Sequence, residues 1–326
     1  MIERFSESTQ TLYAELLDQC LAAEGEEASG SYVSKQINGA TYWYHQQSFG
    51  SGRKQQTYLG RETPDLLETI ARRREARADE KRRRELIDML AAGGMLREQA
   101  AVGQVVRTLA EAGVFRTGGV LVGTLAFGCY ANMLGVRFEQ QSLRTADVDI
   151  AHDPSIALAM TREPELDLLE RLRQVEPRFF AVPGLDPREP STSMKVRGRD
   201  LRIDFVTTTR RGRSSRAAPI PLLGIAATPL RGIDYLIGET TRAVVLAGSG
   251  IVVNIPTPGR FALHKLWLAR ERNVSEQAKA RKDLRQAEQL IEVLESDRPE
   301  ELTRASSALV GGMRRVAESA LRRLRQ

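Results

Sequence analysis

Histidine and cysteine are scarce in this chain: His45, His152 and His264, with Cys20 and Cys129, are scattered along 326 residues. No CxxC or HExxH spacing brings them together, so a zinc site has no ligand set to build on. The cysteines sit in helix-like contexts with no disulfide framework around them, which suits a reducing cytoplasm. The N-terminus, MIERFSESTQ, lacks the basic-then-apolar pattern of a secretory signal. No run is apolar enough to span a bilayer, so a membrane partner is not expected. Also missing are a GxSxG elbow, a GxxxxGK phosphate loop and a GxGxxG fingerprint, which removes the common hydrolase, P-loop and dinucleotide-binding chemistries.

What is present suffices for a folded chain of two or three modules: 41% of residues are hydrophobic and 28% charged. A net charge of +6 and a pI near 9.5 suit a protein that handles polyanions. Arginine-rich chains are also basic for other reasons, so nucleic-acid contact stays open on charge alone.

Four segments emerge along the chain. Residues 1–62 read as a helix followed by a β-hairpin around Gly50-Ser51-Gly52, with Arg53 and Lys54 at its turn. The aromatic cluster Tyr42, Trp43, Tyr44 and Tyr58 could stack on single-stranded nucleic acid. Alternation puts Tyr42 and Tyr44 on one face and Trp43 on the other, which favours packing of the aromatics on neighbouring helices instead. Residues 63–112 read as helices. Thr63-Pro64-Asp65 offers an N-cap, Ala92-Gly93-Gly94 a stop, and the arginine run between them, balanced by Glu75, Asp79 and Glu80, reads as a solvated face. In the next helix Val102, Val105, Val106 and Leu109 share one side. Residues 113–255 carry the chemistry, and residues 256–326 read as helices opened by Thr257-Pro258.

Within 113–255, an apolar run at 120–122 breaks at Gly123-Thr124 and continues as a helix to Leu134. Such a strand–turn–helix leaves free amides and a hydroxyl suited to a phosphate. The segment RTADVDIAHD then reads as a strand in which Val148 and Ile150 face the core while Asp147 and Asp149 project together. Two carboxylates so placed make a platform for magnesium, a hard cation that favours oxygen ligands. The segment KVRGRDLRIDFVTT reads as a hairpin turning near Gly198-Arg199-Asp200, with Leu201, Ile203 and Phe205 inward and Asp204 opposite. Asp204 is either a metal ligand or a surface acid paired with Arg202. The hairpin around Gly248-Ser249-Gly250 and the prolines between residues 181 and 193 complete the segment.

A glycine-hydroxyl turn, paired aspartates and a third aspartate on a later strand resemble the nucleotidyltransferase superfamily that includes DNA polymerase β. The His264-Lys265-Leu266 helix and the Arg281-Lys282-Asp283 helix extend the likeness to bacterial nucleotidyltransferase fold proteins and, more distantly, abortive-infection nucleotidyltransferase toxins. The resemblance covers residues 118–294. It implies an α+β fold: a polymerase β-like core with a mixed, antiparallel-rich sheet and helices on one side, a helical C-terminal bundle and an N-terminal extension. Gly123 and Thr124 would form the nucleotide's phosphate-binding turn. Asp147 and Asp149 would hold two Mg2+ ions, with Mn2+ as a substitute, and Asp204 would help activate the attacking hydroxyl. Lys265 would reach the nucleotide phosphates, its alternative being a solvent-facing lysine on an amphipathic helix. The implied reaction moves a nucleoside monophosphate from a nucleoside triphosphate such as ATP to an acceptor and releases pyrophosphate. Two departures stand out: Thr124 replaces the usual serine, and the interval to Asp147 is long. The acceptor carries no motif, so tRNA or other RNA, a protein and a small molecule all stay open, as does a cognate antitoxin as partner. The basic segment TRRGRSSRAAP, with Arg210, Arg211, Arg213 and Arg216, favours an anionic one. The competing class is a nucleotide-binding regulatory module without turnover.

Overall fold

The computed structural model describes residues 2–24, 31–48, 54–139, 146–153, 167–184, 190–209 and 216–324. A short strand, β1 (Glu3–Arg4), leads into α1 (Glu7–Ala22), whose N-cap Ser6 accepts from the Thr9 amide. Next comes a three-stranded antiparallel sheet, β2 (Ser31–Ile37), β3 (Ala40–Ser48) and β4 (Lys54–Arg61), in that order. The expected hairpin is therefore a meander with an additional strand. β2 is largely polar and exposed, so hydrophobic alternation does not reveal it, yet the Asn38-Gly39 turn that joins it to β3 has φ of 51° and 76°. Positive φ at both positions is the signature of the tight hairpin turn that Asn-Gly favours. The sequence-expected turn at Gly50-Ser51-Gly52, with Arg53, lies outside the described residues.

Helix α2 (Pro64–Ala92) starts and stops where its caps indicate: Thr63 accepts from the Leu66 amide, proline opens the first turn and Gly93 follows the last. Arg82 pairs with Asp79 and Arg84 with Glu80, so much of the arginine run is a solvated face. Two of its arginines instead meet the sheet, where Arg74 lies over Trp43 and Arg73 donates to the Tyr32 hydroxyl. Trp43 thus packs toward a helix as expected, whereas Tyr42, Tyr44 and Tyr58 cluster on the opposite face of the sheet.

The central sheet follows α3 (Ala100–Glu111), which buries Val102, Val105, Val106 and Leu109. Its elements are β5 (Gly119–Val122), α4 (Gly123–Met133), β6 (Val136–Arg137), β7 (Asp147–His152), α5 (Leu168–Val175), β8 (Phe179–Ala181), β9 (Ser193–Val196), β10 (Arg202–Thr208), β11 (Ala218–Ile220) and β12 (Ile225–Leu230). Strand order is β11-β12-β10-β7-β5, with β8 and β9 off this path, while β6 pairs with β1. β10 runs parallel to β7 and β12 and antiparallel to β9, and β5 runs antiparallel to β7. β9 lies along the first half of β10 and β12 along the second, so both share one edge and β7 takes the other. The sheet is mixed and antiparallel-rich, and the α+β class holds.

After α6 (Ile233–Ile237), the hairpin β13 (Thr240–Val245) and β14 (Ile251–Pro256) forms a separate two-stranded sheet. It is tied to β5 by Asn254, whose amide donates to the Phe115 and Gly119 carbonyls at 2.7 and 3.0 Å. Its other side packs against α1 and the end of α2 through Val244, Leu246 and Val252 with Leu16, Ile87 and Leu90. Thr257-Pro258 then opens α7 (Pro258–Glu271), followed by α8 (Gln277–Asp297), α9 (Pro299–Ser307) and α10 (Gly311–Leu324). α7 is buried nearly all round, with Phe261, Leu263, Leu266 and Trp267 inside, because it lies among the other three helices. Among the described residues no helix is long and apolar enough to cross a membrane.

Candidate functional site

β7 and β10 alternate as period-two strands should. Val148, Ile150, Ile203 and Phe205 are buried, while Asp147, Asp149, Arg202 and Asp204 point the other way. The parallel register sets Asp149 beside Asp204 and Asp147 beside Arg202. Residues paired across neighbouring strands share a face, so the three carboxylates and Arg202 emerge together. On the far edge of β7, Val122 pairs with Asp149, which brings the turn at Gly123 against that carboxylate. Gly123 has a φ of 69°, and a Cβ there would run into the Asp149 carboxylate. Only glycine answers both demands. Thr124 follows, half-buried, in the first turn of α4.

Asp149 is the electrostatic centre of this face. Burial, then the neighbouring Asp204, then Asp147 push its carboxyl up to about 6, against the pull of Lys265 and Arg202. Asp204, its side chain 27% exposed, is engaged otherwise. Arg202 donates its Nε to Asp204 Oδ1 at 2.9 Å, and the Ser193 hydroxyl donates to the same carboxylate while accepting from Arg202. The Arg202 partner foreseen as an alternative is present. In this conformation the described residues hold no group of three His, Cys, Asp or Glu side chains gathered to take a metal ion.

Two helices of the C-terminal bundle supply the opposite charge. Lys265 on α7 is 9% exposed, which contradicts the solvent-facing alternative. Its Nζ lies 5.3 Å from the Phe261 ring centroid and donates to Asp283 Oδ1 at 2.6 Å, and Arg272 Nε donates to Asp283 Oδ2 at 2.6 Å. Lys282 on α8 also belongs to the site: burial and then Lys265 lower its ammonium, while Asp283, Asp147 and Asp149 oppose the fall. Lys282, Asp283, Arg202 and Ser193 are site residues that sequence reasoning did not assign there. The Lys282-Asp283 pair was visible only as part of the family likeness, because nothing local ties α8 to β7.

The histidines lie outside this cluster. His152 ends β7 with its ring nitrogen Nε2 3.0 Å from the Thr117 carbonyl, and burial lowers its imidazole. His264, beside Trp267 on α7, is buried with no hydrogen-bond partner at Nε2 among the described residues, and burial pushes its imidazole down to about 3. Of the basic segment after β10, Arg216 is exposed, and Arg210, Arg211 and Arg213 lie outside the described residues.

Comparison with curated proteins and comparison with solved structures each return no match. A family model described as nucleotidyltransferase matches residues 100–310, from the start of α3 to just beyond α9, and so takes in β5, β7, β10 and the helices that carry Lys265 and Lys282. The match spans more than half of the chain, and the protein belongs to this nucleotidyltransferase family.

Proposed function

We propose that the protein moves a nucleoside monophosphate from a nucleoside triphosphate to an acceptor, on a polymerase β-like core formed by residues 113–255. The observation that carries this reading is the convergence of Gly123, Asp147, Asp149 and Asp204 on one face, under Lys265 and Lys282. Membership of a nucleotidyltransferase family supports the reaction class.

The donor chemistry fits a hard divalent cation. Asp147 and Asp149 offer carboxylate oxygens, and the Asp149 carboxyl is raised first by burial and then by the acids beside it, a charge that a bound cation would relieve. Asp204 would join them on release from Arg202. Magnesium, when bound, supplies charge stabilisation to the attacking and leaving oxygens of an in-line displacement. The chain's own residues do the rest. Gly123 and the amides opening α4 admit and hold phosphate oxygens, with the Thr124 hydroxyl beside them. Lys265 and Lys282 balance the triphosphate's charge. Asp204 takes the proton from an acceptor hydroxyl as its oxygen bonds to the α-phosphorus and the bond to the departing pyrophosphate breaks.

The test is transfer of α-phosphate label from each nucleoside triphosphate, with magnesium or manganese, into the RNA, protein and small-molecule fractions of an extract. Asp149→Ala is the control. Label entering one fraction only with the intact protein would establish the reaction and the acceptor class. One observation favours a non-catalytic nucleotide-binding module, namely the Asp204 carboxylate held by Arg202 and Ser193. Magnesium-dependent nucleotide binding with no transfer would decide for it.

A further inference from the structure

We infer that the outward face of the β2–β3–β4 sheet is a docking surface for single-stranded nucleic acid. The register sets Lys35 beside Tyr42 and Val33 beside Tyr44 on one edge, and Tyr44 beside Tyr58 on the other. Tyr58 lies centrally in a ladder, with ring centroids 6.2 Å from Tyr42 and 5.5 Å from Tyr44. It is 56% exposed, an unusual position for a tyrosine flanked by two others. Lys35 Nζ sits 4.6 Å from the Tyr44 ring centroid, and the Gln46 and Gln56 amides continue the same face, bonded to each other at 2.8 Å.

The sheet's two faces have different tasks. The inner one meets α2: Trp43 is 8% exposed, donates to Glu62 and lies under Arg74, and Tyr32 stacks on His45 while accepting from Arg73. Folding therefore already has its aromatic anchor, and the three outer tyrosines are not needed for it.

Charge selects the occupant. Residues 31–61 contain Lys35, Arg53, Lys54 and Arg61 and no aspartate or glutamate. Rings that stack on any base, cations for the backbone and amides able to bond base edges are together what a single strand requires. Duplex bases are already stacked on one another and would not open to this ladder. A second copy of this surface would bring Lys35 and Arg61 against their own counterparts, which disfavours self-association.

The surface is separate from the aspartate cluster, so its test is independent of transfer. Fluorescence anisotropy of labelled RNA and DNA strands of about 12 nucleotides, near the upper range of one site, reads affinity directly. Tyr58→Ala and Tyr44→Ala should each weaken binding about fivefold or more, whereas Tyr58→Trp, which keeps a stacking ring, should restore it. Lys35→Ala should reduce the slope of log affinity against log salt by about one. The RNA and DNA arms decide which strand is preferred. Unchanged affinity in both alanine variants would overturn the inference, as would absence of binding to either strand. So would displacement of the strand by an acidic peptide whose own binding needs Tyr58, or self-association in sedimentation that Tyr58→Ala abolishes.

Discussion

Asp283 offers the sharpest test of how the site is held. It is 3% exposed, and each of its oxygens accepts from a different cation at 2.6 Å, Lys265 from α7 and Arg272 from the end of that helix. Replacing it with leucine removes the counter-charge from a lysine that burial cuts off from water. Loss of one partner of a buried pair costs about 3–5 kcal/mol, because the remaining charge is uncompensated. Arg272 contributes less to that loss, since it keeps Glu276 at 3.2 Å. The double change Lys265→Met with Asp283→Leu removes both charges and fills the same space with apolar atoms, so most of the loss should return. Urea unfolding followed by fluorescence of Trp267, on the same helix, measures both. Equal midpoints for the single and double variants, or a single variant within about 0.5 kcal/mol of the intact chain, would refute the coupling. A double variant that folds but no longer transfers label would assign Lys265 to the nucleotide as well as to the fold.

Three further outcomes follow from the same geometry. Asp149→Asn should abolish transfer yet raise the melting temperature of metal-free protein, because it removes a buried negative charge beside Asp204 and Asp147, and added magnesium should no longer stabilise it; a lower melting temperature in chelator would count against this. Burial first, then Lys265 and Arg272 against the opposing pull of Asp283, hold His264 at about 3 in the fold against an ordinary 6.5, so only the unfolded chain gains its proton over that interval. Stability should fall by about 1.4 kcal/mol per pH unit from this residue as pH drops below 6.5, with His264→Phe flattening that part of the slope in urea midpoints taken across the range. Gly123→Ala should cost about 1–3 kcal/mol and most of the activity, since it meets both a left-handed backbone and the Asp149 carboxylate; near-normal urea midpoints and turnover would show that the turn can relax.

The parts of this site that were legible in the sequence are those set by local periodicity. Alternation in DVDIAH and RIDFVTT gave the facing of Asp147, Asp149 and Asp204, and the Val122–Gly123 break gave the turn. Local start signals gave α2 and α7, the Thr63 cap with Pro64 for the one and the first-turn Pro258 for the other, because both act within one turn. What sequence reasoning missed is non-local or polar. The Asp147–Asp149 strand and the Asp204 strand were expected to be neighbours, as β7 and β10 are, but no pattern within either strand states the register that sets Asp149 beside Asp204. The Lys265–Asp283 bond crosses between helices, and Lys265 therefore read equally well as a surface residue. β2 escaped because a half-exposed edge strand rich in Ser, Lys and Gln has no apolar alternation, although its Asn-Gly turn was a sufficient signal.

The balance of charge explains how the fold keeps three acids together on one face. Asp147, Asp149 and Asp204 are opposed by Arg202, Lys265 and Lys282, but these cations are not equivalent. Lys265 is bound to Asp283 in the interior, so it acts on Asp149 at a distance and cannot leave without stranding a buried carboxylate. Arg202, nearly half exposed, bonds Asp204 directly, and an ion pair at that exposure is worth about 0–1 kcal/mol. The counter-charge on Asp204 is thus the cheap one to displace, whereas the counter-charge that positions the helices is the expensive one. On the nucleotidyl-transfer reading, that division lets the site exchange arginine for metal while α7 and α8 stay where the nucleotide needs them.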